Sequence, residues 1–418
     1  MFSRSRIVLQ RSLKSKFSTI TATSNEVMTV IGNLPVTNEC NIVDPLVGAK
    51  FPMYRVTETD GSVVEGAILP DFDKETAQNM YTVMGRIQAL DDVFYNAQRQ
   101  GRISFYMQSS GEEAIHVGTA SALKAQDTIL AQYREVGVLL WRGFTVQQCA
   151  DQCFSNEMDL GKGKQMPVHY GSKELNFQTI SSPLTTQLPQ AAGVAYAHKL
   201  AKDDAVAVVY FGEGAASEGD FHAGMNFAAT LEAPCVFICR NNGYAISTPI
   251  KDQYRGDGII SRAAGYGMYS IRVDGNDLMA VHQATAKARE YALTHSRPVF
   301  LELMTYRRGH HSTSDDSTRY REVSEIEYWH DNQNCMKRFR GYMESKEWWD
   351  EELEVSMRES ERKAVLTALE TAEKRPKPPM SAMFEDVYAE IPTHLKQQQD
   401  ELNAHIAKYP DHYANLGH

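Results

Sequence analysis

Short, unbroken apolar runs alternate with helical patterns from about residue 128 to residue 304, and this alternation limits the possible folds more than any other feature. The runs are Thr128–Ala131, Ala205–Phe211, Cys235–Cys239, Ser270–Val273 and Val299–Met304, and they read as buried strands. Between them lie helical segments at Pro183–Ala201, Gly219–Leu231 and Asp277–Thr294. Strands alternating with helices predict an α/β fold, a doubly wound parallel sheet with helices on both faces. Upstream, Met80, Val83, Met84, Ile87, Leu90 and Phe94 recur at helical spacing, which predicts one long amphipathic helix over Lys74–Gln100.

The flanks differ from this core. Residues 26–73 lack helical periodicity and carry Pro35, Pro45, Pro52 and Pro70; they read as an extended arm with a short hairpin around Asp60-Gly61. After Ser324 the chain becomes helical and charged through Glu373, KRPKPP (374–379) interrupts it, and a short helical tail follows. The division is therefore 1–25, 26–73 for the arm, 74–323 for the α/β core and 324–418 for a helical C-terminal region. Residues 1–25 contain Arg4, Arg6, Arg11, Lys14 and Lys16 and no acid, the composition of a mitochondrial presequence and an address in the mitochondrial matrix. The formal charge of −10 argues against a general nucleic-acid surface, which needs clustered positive charge. No run of about 18 uncharged apolar residues occurs, so no membrane span is expected. The six cysteines form no CxxC, and in so long a chain they suggest neither a disulfide scaffold nor a zinc site.

Two turns carry chemistry. Gly212-Glu213-Gly214-Ala215-Ala216 ends the strand AVAVVYF, and Asn241-Asn242 ends the next strand after 26 intervening residues. Ligands of doubly wound sheets bind outside the carboxyl ends of the strands, so both turns point into one crevice. Glycines let the backbone approach a diphosphate, and the helix starting near Glu218 offers free N–H groups. The Glu213 carboxylate and the Asn242 amide oxygen are hard ligands suited to Mg2+. Either turn alone would be read as an ordinary strand–helix or polar turn. Together, at this spacing, they resemble the thiamine-diphosphate signature, a GDG followed 25 to 30 residues later by NN, with Glu in place of the usual Asp.

A narrower resemblance covers roughly residues 50–418. GRISFYMQSSGEEA (101–114), QYREVGVL (132–139), GKGKQMPVHYG (161–171), ISSPLTTQLPQAAGVAYA (180–197), FGEGAASEGD (211–220), RNNGYAISTP (240–249), QYRGDGI (253–259) and YRRGHHSTSDD (306–316) are similar to the α subunits of the E1 component of branched-chain 2-oxo acid dehydrogenase complexes. The pyruvate-specific α subunits usually have GDGAxNQG where this chain has GEGAASEG.

The resemblance implies roles. The fold would be the diphosphate-binding half of a thiamine diphosphate-binding fold. Glu213, Asn242 and the carbonyl of Tyr244 would hold Mg2+. Gly212, Gly214, Ala215 and Arg240 would lie against the diphosphate, with Tyr133 and Arg134 reaching it from another strand end. Unaided, SSPLTTQ reads as a helix entrance with Ser182 as N-cap and Pro183 at the first helical position. The family reading adds a K+ site from the carbonyls of Ser181 and Pro183 and the side-chain oxygens of Thr186 and Gln187, with Ser182 and Leu184 touching the cofactor. Of the pair His310-His311, the histidine before the serine, His311, would contact the cofactor and assist acyl transfer.

The implied reaction is thiamine-diphosphate-dependent decarboxylation of branched-chain 2-oxo acids, with the acyl group passed to the lipoyl arm of an E2 acyltransferase. The glutamate that activates the cofactor's aminopyrimidine comes from a β subunit in this family, and the chain has room for only one α/β core plus arms. An α2β2 heterotetramer with E1β is therefore expected, and Val194–Ala197 and Met225–Ala229 are candidates for subunit packing or for ordinary core. Two other readings are a pyruvate-specific subunit and a non-catalytic scaffold of the same fold. The polar segment 310–322 reads as a loop. The resemblance makes Ser312 a phosphorylation site for a regulatory kinase and phosphatase, whereas Glu322 stands where relatives have a second phosphoserine.

Overall fold

The computed structural model describes residue 40 and residues 50–413. The expected presequence and nearly all of the arm before residue 50 lie outside the described residues. Nine strands form among the described residues: β1 (Met53–Tyr54), β2 (Thr128–Leu130), β3 (Phe177–Gln178), β4 (Ala207–Gly212), β5 (Cys235–Asn241), β6 (Tyr244–Ala245), β7 (Thr248–Pro249), β8 (Tyr269–Asp274) and β9 (Val299–Met304). Seven of them make one sheet in the order β1-β8-β9-β5-β4-β2-β3, and β6 and β7 make a separate hairpin. Every neighbouring pair in the large sheet is parallel. The expected doubly wound α/β architecture is therefore what forms; the five apolar runs are its five inner strands, and the two-residue edge strands β1 and β3 are not among those expected.

The central strands explain why those runs show no polar face. Val208 and Tyr210 of β4 and Val236 and Ile238 of β5 join one hydrophobic core, with the helices Lys74–Arg99, Glu113–Ala122 and Leu278–His295. Ala207, Val209 and Phe211, with Cys235, Phe237 and Cys239, join a second core under the helices Gln187–Ala201 and Gly219–Thr230. Alternate side chains enter opposite cores, so a strand covered on both sides has no wet face to mark it.

Among the described residues five helices of the core escape the periodicity argument: Glu113–Ala122, Val136–Trp141, Val146–Cys153, Ile250–Gln253 and Ile260–Gly265. The first of these is buried from Glu113 to Ala120, so it has no polar stripe that could reveal it. The helix expected from Pro183 begins instead at Gln187, with Thr186 at its cap. Thr185 sits at φ 65°, which no helix accommodates, so the chain enters through a turn. Ser182 is therefore not an N-cap, and its hydroxyl pairs with Nε2 of His169 at 2.7 Å.

The arm from residue 50 is docked on the core. Thr57 and Val63 form the expected hairpin bridge, and Gly61 makes its turn at φ 91°. Asp277 accepts the N–H groups of Val56 (2.8 Å) and Thr57 (2.7 Å). Arg338, fully buried, donates to Thr57 Oγ1 (3.0 Å) and Asp274 (2.9 Å), which ties together the arm, the end of β8 and the helix Cys335–Ser345. Residues 50–73 and the C-terminal region thus belong to the same compact unit as the core. The helix Glu351–Lys374 ends at KRPKPP as expected, and Thr393–Lys408 is the helical tail. The helices carrying Val194–Ala197 and Met225–Ala229 pack together in the second core through Ala195, Met225 and Ala228, while Phe227 remains 56% exposed.

Candidate active site

The carboxyl ends of β4, β5 and β9 are brought level by register: Gly212 pairs with Arg240, and Asn241 with Met304. Beyond them opens a cavity of about 400 Å³, where ligands of doubly wound sheets bind. Tyr133, Arg134, Leu184, Gly212, Glu213, Gly214, Ala215, Arg240, Asn242, Tyr244 and His311 line it. The side chains and turns chosen from sequence therefore converge on one place. Ser182 does not line the cavity, nor do Ser181, Pro183, Thr186 and Gln187. Those residues form the turn that leads to Leu184 and into the helix Gln187–Ala201, where Thr186 Oγ1 lies 3.4 Å from the Pro183 carbonyl oxygen. The Gln187 side-chain NH2 donates to the Tyr210 carbonyl at 3.0 Å, which leaves its amide oxygen unused there.

Glu213 is 1% exposed. Its oxygens accept only neutral donors: the Asn242 backbone N–H at 3.2 Å and the Gln253 side-chain NH2 at 3.3 Å. Burial pushes this carboxyl above the usual carboxylate range. Gly214 beside it must lack a side chain, because a Cβ there would lie 2.5 Å from Ala245 Cβ. The Asn242 side-chain oxygen accepts the Tyr244 N–H at 3.3 Å, so the members of this turn hold each other in place.

Another part of the lining is cationic. Arg134 donates to Nδ1 of His311 at 3.0 Å, to the His311 carbonyl and to the Gln108 carbonyl. Arg307 donates to the carbonyls of Tyr244 (3.4 Å) and Ile246 (2.7 Å) and to the Tyr320 hydroxyl (2.8 Å), and its Nε has no partner. Neither guanidinium has a carboxylate within 4.0 Å among the described residues. Burial, and then Arg134, push Arg307 below the ordinary arginine range. His311 is pushed down to about 3 by burial and by Arg134 and Arg307. It is neutral at physiological pH, and the Arg134 bond to Nδ1 leaves its proton on Nε2. His310 lies elsewhere, paired with Ser317 and stacked at 6.3 Å on Tyr95.

This charge pattern tests whether a metal-bound diphosphate fits. Among the described residues Glu213 is a buried carboxylate with no cation in contact, and Arg134 and Arg307 are buried cations with no carboxylate in contact. A diphosphate with a divalent cation supplies both missing partners, so the residues fit the group. Arg240 behaves differently. Its fork is held by Glu112 (2.6 Å), by Glu135 and by Gln132 (3.3 Å), so it borders the cavity with its charge already matched.

Sequence reasoning missed Arg307, Gln132, Glu218, Ala245 and Ile246, which also line the cavity. Arg307 had a signal, since it lies four residues before the chosen histidine in the same quoted motif. Ser312 is 7% exposed, and its hydroxyl accepts the Ser314 N–H at 3.2 Å. Its loop contains one turn of 3-10 helix at Ser317–Arg319 and is pinned by Thr313 to Tyr106 and by Tyr320 to Asp315 (2.6 Å).

Residues 81–381 match the family described as dehydrogenase E1 component. The chain is 55% identical over 381 residues to the 2-oxoisovalerate dehydrogenase subunit alpha, mitochondrial, of Caenorhabditis elegans, covering 91% of this chain and 88% of that protein. It is 51% identical over 382 residues to subunit alpha 1 of the same-named enzyme of Arabidopsis thaliana (91% and 81% covered) and 51% identical over 376 residues to the human subunit (90% and 84%).

Proposed function

The chain belongs to the dehydrogenase E1 component family, and from that premise we propose that it serves as the α subunit of a mitochondrial 2-oxoisovalerate dehydrogenase. It acts in thiamine-diphosphate-dependent oxidative decarboxylation of branched-chain 2-oxo acids, as one subunit of a multi-subunit complex. Its place of work is the mitochondrial matrix, and the basic segment 1–25 is the presequence that takes it there.

Thiamine diphosphate, when bound, supplies a carbanion for the 2-oxo carbon and an electron sink as CO2 leaves. The chain's own residues bind and orient. Arg134 and Arg307 take the diphosphate charge, and Gly214 lets the turn approach it. Glu213, the Asn242 amide oxygen and the Tyr244 carbonyl hold Mg2+. The carbonyls of Ser181 and Pro183, with the side-chain oxygens of Thr186 and Gln187, would hold K+ in the turn that presents Leu184 to the cavity. His311, with Nδ1 engaged by Arg134, would have its Nε2 proton available to a group in the cavity and could assist acyl transfer there. An E1β subunit completes the site in an α2β2 heterotetramer, and a lipoyl-bearing E2 receives the acyl group.

Ser312 is the regulatory position. A phosphate adds about −1.5 to −2 charge to a hydroxyl that is buried three residues from Asp315, so the loop cannot keep its present packing. A kinase and a phosphatase would set that state.

The observation that carries the reading is the pairing of an unmatched buried carboxylate with two unmatched buried guanidiniums across one cavity at the ends of β4 and β5. The test is decarboxylation by the purified α and β pair. Turnover of 3-methyl-2-oxobutanoate that requires thiamine diphosphate is expected. Preference for pyruvate would reassign the substrate, and cofactor binding without turnover would make the chain a scaffold.

A further inference from the structure

Glu112 stands at the start of the helix Glu113–Ala122, in the position where a side chain usually caps the helix, yet its carboxylate makes no cap bond. It is fully buried and turns instead to residues far along the chain. One oxygen accepts from Arg240 Nη1 at 2.6 Å, and the other accepts the side-chain NH2 of Asn242 at 2.7 Å. A carboxylate paired with arginine is an acceptor only. The group facing it must therefore be the NH2 of Asn242, which leaves the amide oxygen on the side of Tyr244, whose N–H it accepts at 3.3 Å.

We propose that Glu112 is a positioning residue for the metal end of the cavity, setting the amide of Asn242 so that its oxygen, and not its NH2, is offered as a ligand. The proposal rests on the reading of Glu213, Asn242 and Tyr244 as ligands of a divalent cation. An asparagine amide has two ends of nearly equal size, and only the oxygen can bind a cation. Groups behind a ligand commonly fix such choices and alter metal affinity about 10- to 100-fold when lost. Arg240 supports the arrangement from behind, since Glu135 also holds it in place.

The test is a charge-exchange cycle in the assembled α and β complex. Glu112→Gln keeps the side chain's size and leaves Arg240 paired with Glu135. The introduced amide will turn its oxygen to Arg240, so its NH2 will face Asn242 and drive that amide to flip. Asn242→Asp has two equivalent oxygens and needs no orientation, but alone it sets two carboxylates against each other. In the double variant the amide introduced at position 112 donates to one oxygen of the carboxylate introduced at position 242 and leaves the other oxygen for the metal. Mg2+ is titrated at a fixed saturating concentration of thiamine diphosphate, with bound cofactor read by calorimetry. The thermal midpoint of the cofactor-free complex is the control for a purely structural role.

The Mg2+ concentration at half-saturation should rise about tenfold or more in Glu112→Gln with the thermal midpoint little changed, and should return toward the wild-type value in the double variant. A wild-type titration in Glu112→Gln overturns the proposal, as does a double variant no better than the single one. If Glu112→Gln does not assemble, recovery of assembly and of Mg2+ dependence in the double variant upholds the proposal, and failure of both overturns it. Cofactor binding by the wild type that needs no divalent cation would overturn the underlying metal reading instead.

Discussion

The wall of the cavity at the ends of β4 and β5 and the wall built from Arg134, Arg307 and His311 are held by different means. Glu213 and Asn242 directly follow strands whose ladders are in register, so the sheet places them. Arg134 and His311 lie on two segments 177 residues apart and are held by hydrogen bonds to each other. Each wall nonetheless carries a charge that the protein does not neutralise. Three other buried arginines are paired, Arg289 with Asp127 at 2.7 Å, Arg338 with Asp274 at 2.9 Å and Arg240 with two glutamates, while Arg321 spends its fork on the carbonyls of Arg307, Arg308 and Gly309 and does not line the cavity. Removing an ion from water is costly, so a buried charge needs either a counter-ion or a full set of hydrogen bonds. What sets this place apart is that unmatched charges of both signs line one cavity, where a ligand can complete the pairing.

The most severe way to break this contrast is Glu213→Ala. Mg2+-dependent thiamine diphosphate binding should be lost, by more than the roughly 10- to 100-fold that removing an outer partner costs. The fold should survive, because the variant removes a buried carboxylate that burial already disfavours. Calorimetric titration and circular dichroism together check both halves, and unchanged cofactor affinity would mean the anionic wall had been misread.

Next in size is Ser312→Glu. A charge in place of a buried hydroxyl, with Asp315 already holding the His311 N–H at 2.8 Å, should nearly abolish overall complex activity measured with lipoyl-E2. Full turnover would leave the switch without support.

Arg134→Met addresses the cationic wall. Cofactor affinity should fall about 10- to 100-fold, the equivalent of losing a hydrogen bond to a charged group worth roughly 1.5–3 kcal/mol. His311 should also move up from about 3 toward its ordinary value, though burial, its largest cause of depression, remains. The sign for stability follows. The unfolded chain binds this proton near pH 6.5 and the folded chain near 3, so His311 costs stability as pH falls through that interval and costs nothing above it. In Arg134→Met the interval narrows, so the variant's deficit relative to wild type should shrink between pH 6 and 4 in denaturant melts. A constant deficit would separate Arg134 from the histidine.

The smallest effect is expected from Glu322→Ser. Glu322 is exposed at the start of the helix Val323–Asn332, where its side chain makes no cap bond. Its charge favours the helix N-terminus by about 0.3–1 kcal/mol. Complex activity should stay close to normal, and a large loss would extend the cationic wall's reach to this position.

Sequence patterning sufficed for the five inner strands of the sheet, whose unbroken apolar runs must be covered on both faces, but not for the two-residue edge strands β1 and β3 or for the strand order. It also determined the anionic wall, since a glycine-flanked glutamate and paired asparagines at consecutive strand ends must open on one crevice. The helix Glu113–Ala122 and the true start of Gln187–Ala201 needed tertiary structure, the first because burial on all sides erases its period, the second because the left-handed Thr185 replaces a cap with a turn. Tertiary structure alone decided which charges are matched. Glu112 meets Asn242 across 130 residues, and Arg240, a natural phosphate ligand by type, already lies between two glutamates. Arg307 has no carboxylate at hand and faces the cavity instead. Residue type sets what a side chain can bind, but its free valence depends on neighbours that only the packed chain brings within hydrogen-bonding distance.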